Sequence, residues 1–327
     1  MKKVLIATCC IALLSGSLSV SAQTLAGKSW SADNGNGTFT NPLFYDEFSD
    51  PDIIRVGEDY YLAGTTMHSV PGLVVLHSKD LVNWEFSSYC FDRLDDSDDF
   101  NLRNGKEAYG QGIWAPAIRY HNGKFYIFSN INGHGLQVYI SDSAKGPWTH
   151  HKVNGDIYDL SVLFDEDGKI YAVHKYGNVT VTELKPDLSG PVEGSSKVVI
   201  PEGNAMGEGH HVYKINGMYY ILSADYSPMG RMQCARSKSI WGPYETCVIS
   251  ERESYGYAAG WSVGNMGIGR PLPEDGFSFQ NNKPNGLNLG CATIHQGGIV
   301  QAPDGKWWGV SMQDFNAVGR TVCLSPI

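Results

Sequence analysis

The chain has 327 residues, with 25 Lys and Arg against 34 Asp and Glu, 38 Gly, 8 Trp, 18 Tyr and 12 Phe. That length excludes a small stapled scaffold, and the formal net charge of -9 argues against a polyanionic partner such as nucleic acid, whose phosphates need a positive footprint. Abundant glycine and aromatics with few charges suggest turns and strands.

Met1-Lys2-Lys3, the apolar run from Val4 to Leu14 and the small residues Val20-Ser21-Ala22 stand in the order of a secretory signal, read here as residues 1–22. The run falls well short of the roughly 20 apolar residues of a membrane anchor. The protein is therefore expected to be exported, secreted or periplasmic, with no membrane span. Five cysteines then remain, Cys90, Cys234, Cys247, Cys291 and Cys323. An odd count without CxxC spacing is neither a disulfide framework nor a zinc site. The sequence allows one disulfide and does not choose its pair.

From residue 57 onward a turn-plus-strand unit recurs five times: Gly57-Glu58-Asp59-Tyr60-Tyr61, Asn122-Gly123-Lys124-Phe125-Tyr126, Asp167-Gly168-Lys169-Ile170-Tyr171, Asn216-Gly217-Met218-Tyr219-Tyr220 and Asp304-Gly305-Lys306-Trp307-Trp308. Asn-Gly and Asp-Gly supply the positive φ of two-residue hairpins. A second unit follows in four of the five, at Ser78–Trp84, Ser141–Trp148, Asp187–Pro191 and Ser237–Tyr244, and reads as the turn between a third and a fourth strand. Four short strands per repeat without helical periodicity predict an all-β, five-bladed β-propeller. A β-sandwich would explain the turns but not their paired order. Two long insertions, Ser88–Gly112 and Ser250–Leu289, are expected as loops; the first is acidic but lacks an EF-hand pattern.

About 12 residues before the last aromatic of each unit, at the expected start of each innermost strand, stand Asp50, Trp114, Asp159, Glu208 and His295-Gln296. In a propeller, equivalent positions converge on the axis. Several carboxylates sharing one cavity are costly unless paired or tuned, and that is where acid and base chemistry is found. Glycoside hydrolysis needs one carboxylate ionised and a second kept protonated, and a Trp offers a flat face to a sugar. Singly, each residue also has a structural explanation, such as Glu208 pairing with Lys214.

Asp50-Pro51-Asp52-Ile53-Ile54-Arg55, Trp114-Ala115-Pro116, Asp159-Leu160-Ser161, Glu208-Gly209 and His295-Gln296-Gly297-Gly298, in this order, resemble glycoside hydrolase family 43 over about residues 40–327. The resemblance implies a five-bladed propeller acting on arabinose- and xylose-containing polysaccharides with inversion. It implies that Asp50 is the general base, Glu208 the general acid, and Asp159 the carboxylate that orients Glu208 and raises its pKa. It further implies that Trp114 and Arg320 bind substrate and that His295 stands near an axial calcium ion, largely through water.

The sequence departs from the family at His210, where proline is frequent. Only 19 residues follow Trp308, so the fifth blade reads one strand short. Either the N-terminal segment, residues 23–39 continuing to Phe48, closes the ring, or the chain is a fragment. The expected function is an α-L-arabinofuranosidase or β-D-xylosidase acting on arabinoxylan or xylo-oligosaccharides. The alternatives are a non-catalytic sugar-binding propeller and a retaining, fructan-acting propeller enzyme, whose carboxylates stand only about 5–5.5 Å apart.

Overall fold

The structure, a computed structural model, describes residues 31–67, 71–94, 97–108, 111–204, 206–225, 231–251, 296–314 and 319–327. The leader expected over residues 1–22, Cys291, His295 and most of the second insertion lie outside the described residues. No helix among the described residues is long and apolar enough to cross a membrane.

The described strands form five antiparallel sheets. Blade I is β1 (Ser49–Val56), β2 (Asp59–Thr65), β3 (Gly72–Ser78) and β4 (Trp84–Phe91), and blade II is β5 (Ile113–His121), β6 (Lys124–Ile131), β7 (Gly135–Ser141) and β8 (Thr149–Lys152). Blade III is β9 (Ser161–Phe164), β10 (Ile170–His174), β11 (Val179–Leu184) and β12 (Lys197–Ile200). Blade IV is β13 (Glu208–Ile215), β14 (Met218–Asp225), β15 (Arg231–Ser237) and β16 (Glu245–Glu251), and blade V is β17 (Ile299–Gln301), β18 (Trp307–Asp314) and β19 (Arg320–Pro326). The first strand of each blade is innermost: β1 touches β5 and β17, β5 touches β9, and β9 touches β13.

Among the described residues blade V has three strands, and the outer edge of β19 is not left open. Leu43 and Phe48 donate backbone N–H groups to Val322 and Arg320, each at 2.8 Å, and the Asn41 side chain both donates to and accepts from Leu324. Unpaired N–H and C=O groups along β19 would otherwise invite association. Apolar side chains fill the seams between blades. Ile118, Ile127 and Val75 share one buried cluster between I and II, Phe128 and Val162 one between II and III, Val181 and Ile221 one between III and IV, and Leu62, Val322 and Phe48 one between V and I. Each such side chain contributes about 1.5–3 kcal/mol by leaving water.

The five hairpin turns are of two lengths, which the repeat concealed. Blades I, II and IV use two-residue turns, closed by Val56 with Asp59, His121 with Lys124 and Ile215 with Met218. Blades III and V have one residue more, with Asp165 donating to Lys169 and Ala302 to Lys306, and with Gly168 and Gly305 at positive φ. This single residue shifts the comparison between blades.

Hydrogen bonds rather than apolar packing join the inner strands at the axis. Asp52 is fully buried; its carboxylate accepts from Arg119 of β5, from the Ile118 N–H at 2.9 Å and from its neighbour Ile53, with His211 Nδ1 of β13 at 3.1 Å. Arg119 also donates to Ser161 Oγ of β9, which accepts the Val212 N–H at 3.0 Å, and the Tyr213 hydroxyl accepts the Ile299 N–H of β17 at 2.8 Å. Burial alone would raise the Asp52 pKa, but Arg119 and then His211 hold it below the usual carboxylate value. Removing one partner of a buried ion pair strands the other charge. Asp52→Ala is expected to cost about 3–5 kcal/mol, read as a lower urea midpoint at neutral pH.

Candidate active site

Innermost strands open onto the site through a repeated bulge. Ser49 pairs with Thr65 but Asp52 with Ala63, Trp114 with Asn130 but Ala117 with Phe128, and Glu208 with Ala224 but His211 with Leu222. Blade III repeats this, with Tyr158 accepting from the Lys175 N–H and Ser161 pairing with Val173. The residue inside the bulge has positive φ in every blade: Asp50 (52°), Ala115 (37°), Asp159 (49°), Gly209 (64°) and Gln296 (43°). Bulges of this kind re-aim side chains.

This register corrects the alignment read from spacing. Asp50 and Asp159 occupy the bulge itself, whereas Trp114 and Glu208 stand one position earlier, level with Ser49 and Tyr158. The longer turn of blade III hid the offset by adding a residue between Asp159 and Tyr171. The partner of Glu208 in the next blade is therefore Tyr158, a residue the spacing argument passed over.

Asp50, Trp114, Asp159, Glu208 and Arg320 all line one cavity of about 210 Å3, together with Met67, Ala115, Asn130, Tyr158 and Gln296. His295 lies outside the described residues, next to Gln296. Arg320 Nη1 donates to Asp50 Oδ1 at 3.3 Å. Tyr158 donates its hydroxyl to Glu208 Oε2 at 2.9 Å, and the Gly209 N–H donates to Asp159 Oδ2 at 2.8 Å. Asp159 thus contacts the strand of Glu208 through the backbone. Asn130 fixes this corner from blade II, accepting from the Asp159 N–H and donating to the Ile157 carbonyl. Lys214, a candidate structural partner for Glu208, instead pairs with Asp165 and Glu166.

Gly209 is required here for two reasons. Its φ lies in the left-handed region, and a Cβ would stand 2.5 Å from the Gln296 side chain.

The electrostatics divide the carboxyls. Burial, then the charges of Glu208 and Asp50, raises Asp159 well above its usual pKa. Glu208 is raised by burial and by Asp50, while Tyr158 and Arg320 pull it back. Asp50 faces the guanidinium directly. Carboxyl groups in one cavity with different environments are suited to different protonation roles.

His210, the departure from proline, is buried behind Glu208, with Nδ1 2.6 Å from Ser223 Oγ and Nε2 2.6 Å from the Lys175 carbonyl. It therefore ties β13 to the turn after β10 whose Lys175 N–H holds Tyr158. His174 is buried nearby, with Nε2 on Thr182 and Nδ1 without a partner.

Comparison with known proteins sets this arrangement in a family. The sequence profile of "Glycosyl hydrolases family 43" matches residues 39–257. The chain belongs to glycosyl hydrolases family 43. Within the family it is 33% identical to a non-reducing-end α-L-arabinofuranosidase of Bacteroides ovatus over 89% of this chain and 51% of the relative. It is 31% identical to a putative β-xylosidase of Xylanibacter ruminicola over 91% of this chain and 50% of the relative. The chain thus spans about half the length of the curated relatives it matches. A bifunctional GH43-CE structure from Bacteroides eggerthii superimposes with a TM-score of 0.71 at 33% identity, over 88% of this chain and 34% of that one.

His295, beside which the resemblance implies a calcium ion, lies outside the described residues. Among the described residues no group of three or more His, Cys, Asp or Glu side chains is placed to hold a metal ion.

Burial, the largest cause in each case, lowers both His174 and His210 to about 4. Their unfolded forms take up protons as pH falls through about 6.5, while the folded forms stay neutral to about 4. Their contribution to stability is thus complete above pH 6.5 and is lost as pH falls toward 4, by at most roughly 3 kcal/mol each. The urea midpoint is expected to fall over that window, and less steeply in His174→Gln.

Proposed function

We propose that the chain is an inverting glycoside hydrolase that releases a terminal pentose, α-L-arabinofuranosyl or β-D-xylosyl, from arabinoxylan-type chains and oligosaccharides. The observation that carries this reading is the meeting of Asp50, Asp159 and Glu208 in one small cavity, with Arg320 on Asp50 and Glu208 raised in pKa. Its relatives' names, arabinofuranosidase and xylosidase, support the substrate class.

In this reading Asp50 takes a proton from water, whose oxygen attacks the anomeric carbon. Glu208 gives its proton to the departing glycosidic oxygen as that carbon–oxygen bond breaks. Asp159 holds the Gly209 N–H and so sets the backbone on which Glu208 stands. Trp114 supplies an apolar face to the sugar, and the fork of Arg320 has further donors for its hydroxyls. The small cavity and the non-reducing-end activity in the name of the Bacteroides ovatus relative support release from a chain end. The leader-like residues 1–22 support an exported setting, where such polymers are met.

The test is turnover of 4-nitrophenyl arabinofuranoside, 4-nitrophenyl xyloside and xylo-oligosaccharides, with the product anomer followed by NMR. Asp50→Asn and Glu208→Gln are expected to lose about 10²–10⁴-fold in kcat on the oligosaccharides. Wild-type turnover in both variants would overturn the assignment of roles, and a retained anomer would overturn inversion. Saccharide binding with no product would favour the non-catalytic reading.

A further inference from the structure

Tyr158 and Glu208 occupy the same register position in adjacent blades, so the tyrosine reaches the acid across the seam. Two backbone constraints hold it there: its carbonyl accepts from the Lys175 N–H at 2.9 Å, and the next residue, Asp159, is fixed in the bulge. Its hydroxyl donates to Glu208 Oε2 at 2.9 Å. We propose that Tyr158 is a positioning residue for Glu208: its phenol claims Oε2, so that Oε1 carries the proton delivered to the leaving oxygen. This rests on the hydrolytic reading above.

The chemistry gives the contact a direction. Before proton transfer Tyr158 donates to a neutral carboxyl group. When Oε1 has handed its proton to the departing oxygen and water has added at the anomeric carbon, Tyr158 donates to a carboxylate. Hydrogen bonds to ionised acceptors are roughly twice as strong as neutral ones, so the contact tightens along the reaction, and only such interactions accelerate the chemical step. It also opposes the burial and the Asp50 charge that raise Glu208. The phenol keeps its own proton, because burial and then the charges of Glu208 and Asp159 push it upward.

Tyr158→Phe keeps the ring and removes the donor. In protein carrying 13Cδ-glutamate, with Glu208→Gln to assign the signal, the midpoint of Glu208 is expected to rise by about one pH unit. The kcat on xylobiose, whose leaving group needs the proton, is expected to fall about tenfold with KM little changed. On a 2,4-dinitrophenyl glycoside, whose leaving group does not, the loss is expected to be much smaller. An unchanged Glu208 midpoint, or an equal loss on both substrates, would overturn the proposal. If the wild-type protein cleaves neither glycoside, the hydrolytic reading fails, while the titration still decides whether Tyr158 acts on Glu208.

In blade IV, independently, Cys234 of β15 lies directly opposite Cys247 of β16. It is the one cysteine pair so placed among the described residues. Opposed residues of antiparallel strands have Cα atoms about 4.5–5.5 Å apart, within the range a disulfide spans. We infer that these two close a cross-strand disulfide in an oxidising compartment. Cys247 is exposed and Cys234 half-buried, so the Cys247 thiolate attacks a disulfide oxidant such as oxidised glutathione and expels one thiol. Cys234 then gives up its proton, attacks the mixed disulfide and expels the second. After incubation with oxidised glutathione, a non-reducing tryptic map is expected to show the two peptides joined with the loss of two hydrogens. Cys234→Ser should yield only the mixed disulfide at Cys247. Full alkylation of both thiols in the treated wild-type chain would overturn the inference.

Discussion

A single buried carboxylate, Asp52, holds the ring to its axis. A charge removed from water is tolerated only when its lone pairs are met by strong donors. Asp52 meets that demand with Arg119 from blade II, His211 from blade IV and two backbone N–H groups. The network continues through Ser161 in blade III and, by way of Tyr213, reaches blade V. Small residues in the same layer make room for it: a Cβ on Gly298 would come within 2.8 Å of the Tyr213 hydroxyl and 3.0 Å of Asp52. Because this layer lies two residues beyond the bulge in β1, β9 and β13, fixing it also fixes where Asp50, Asp159 and Gly209 stand.

The bulges carry that order into the site. Positive φ is unfavourable for residues with a Cβ, least so for Asp and Asn, yet Asp50, Ala115, Asp159 and Gln296 all adopt it. Such backbone persists where surrounding structure determines it, here by pairing on both sides of the bulges in blades I to IV. What it yields is convergence of side chains from all five blades on one cavity, with each carboxyl in its own electrostatic setting. Glycine at position 209 does two further things: it lets Gln296 pack close and presents its N–H to Asp159. Asp50, Asp159 and Glu208 are therefore positioned by strand register more than by contacts with one another.

Much of this was legible in the sequence. Turn residues followed by an apolar and an aromatic residue mark five blades, and Asp50, Trp114, Asp159, Glu208 and Arg320, all readable in the sequence, line one cavity. Spacing along the chain misplaces the strands by one residue because Asp165–Lys169 and Ala302–Lys306 close three-residue turns, while Asn122-Gly123 and Asn216-Gly217 form two-residue ones. Reading all five as equal hid the equivalence of Tyr158 with Glu208. The extra residue of the Asp165–Lys169 turn was the available signal. Nothing in the sequence distinguished Asp52 from Asp50 as the axial anchor, since both stand in the same Asp-Pro-Asp run and differ only in which way the backbone turns them.

The sequence by itself determined the number of blades, the strands within them and the residue types offered to the site. Hairpin turns and alternating side chains are local properties, decided by φ preferences and by which face of a strand meets apolar neighbours. Only the tertiary structure decided which residues meet across blades: Asp52 with Arg119 and His211, Tyr158 with Glu208. It likewise placed Phe48 and Leu43 along the outer edge of the fifth blade. These meetings depend on rotation about the axis and on register within each sheet, where one added turn residue changes every partner. That information belongs to the ring as a whole, and no local segment contains it.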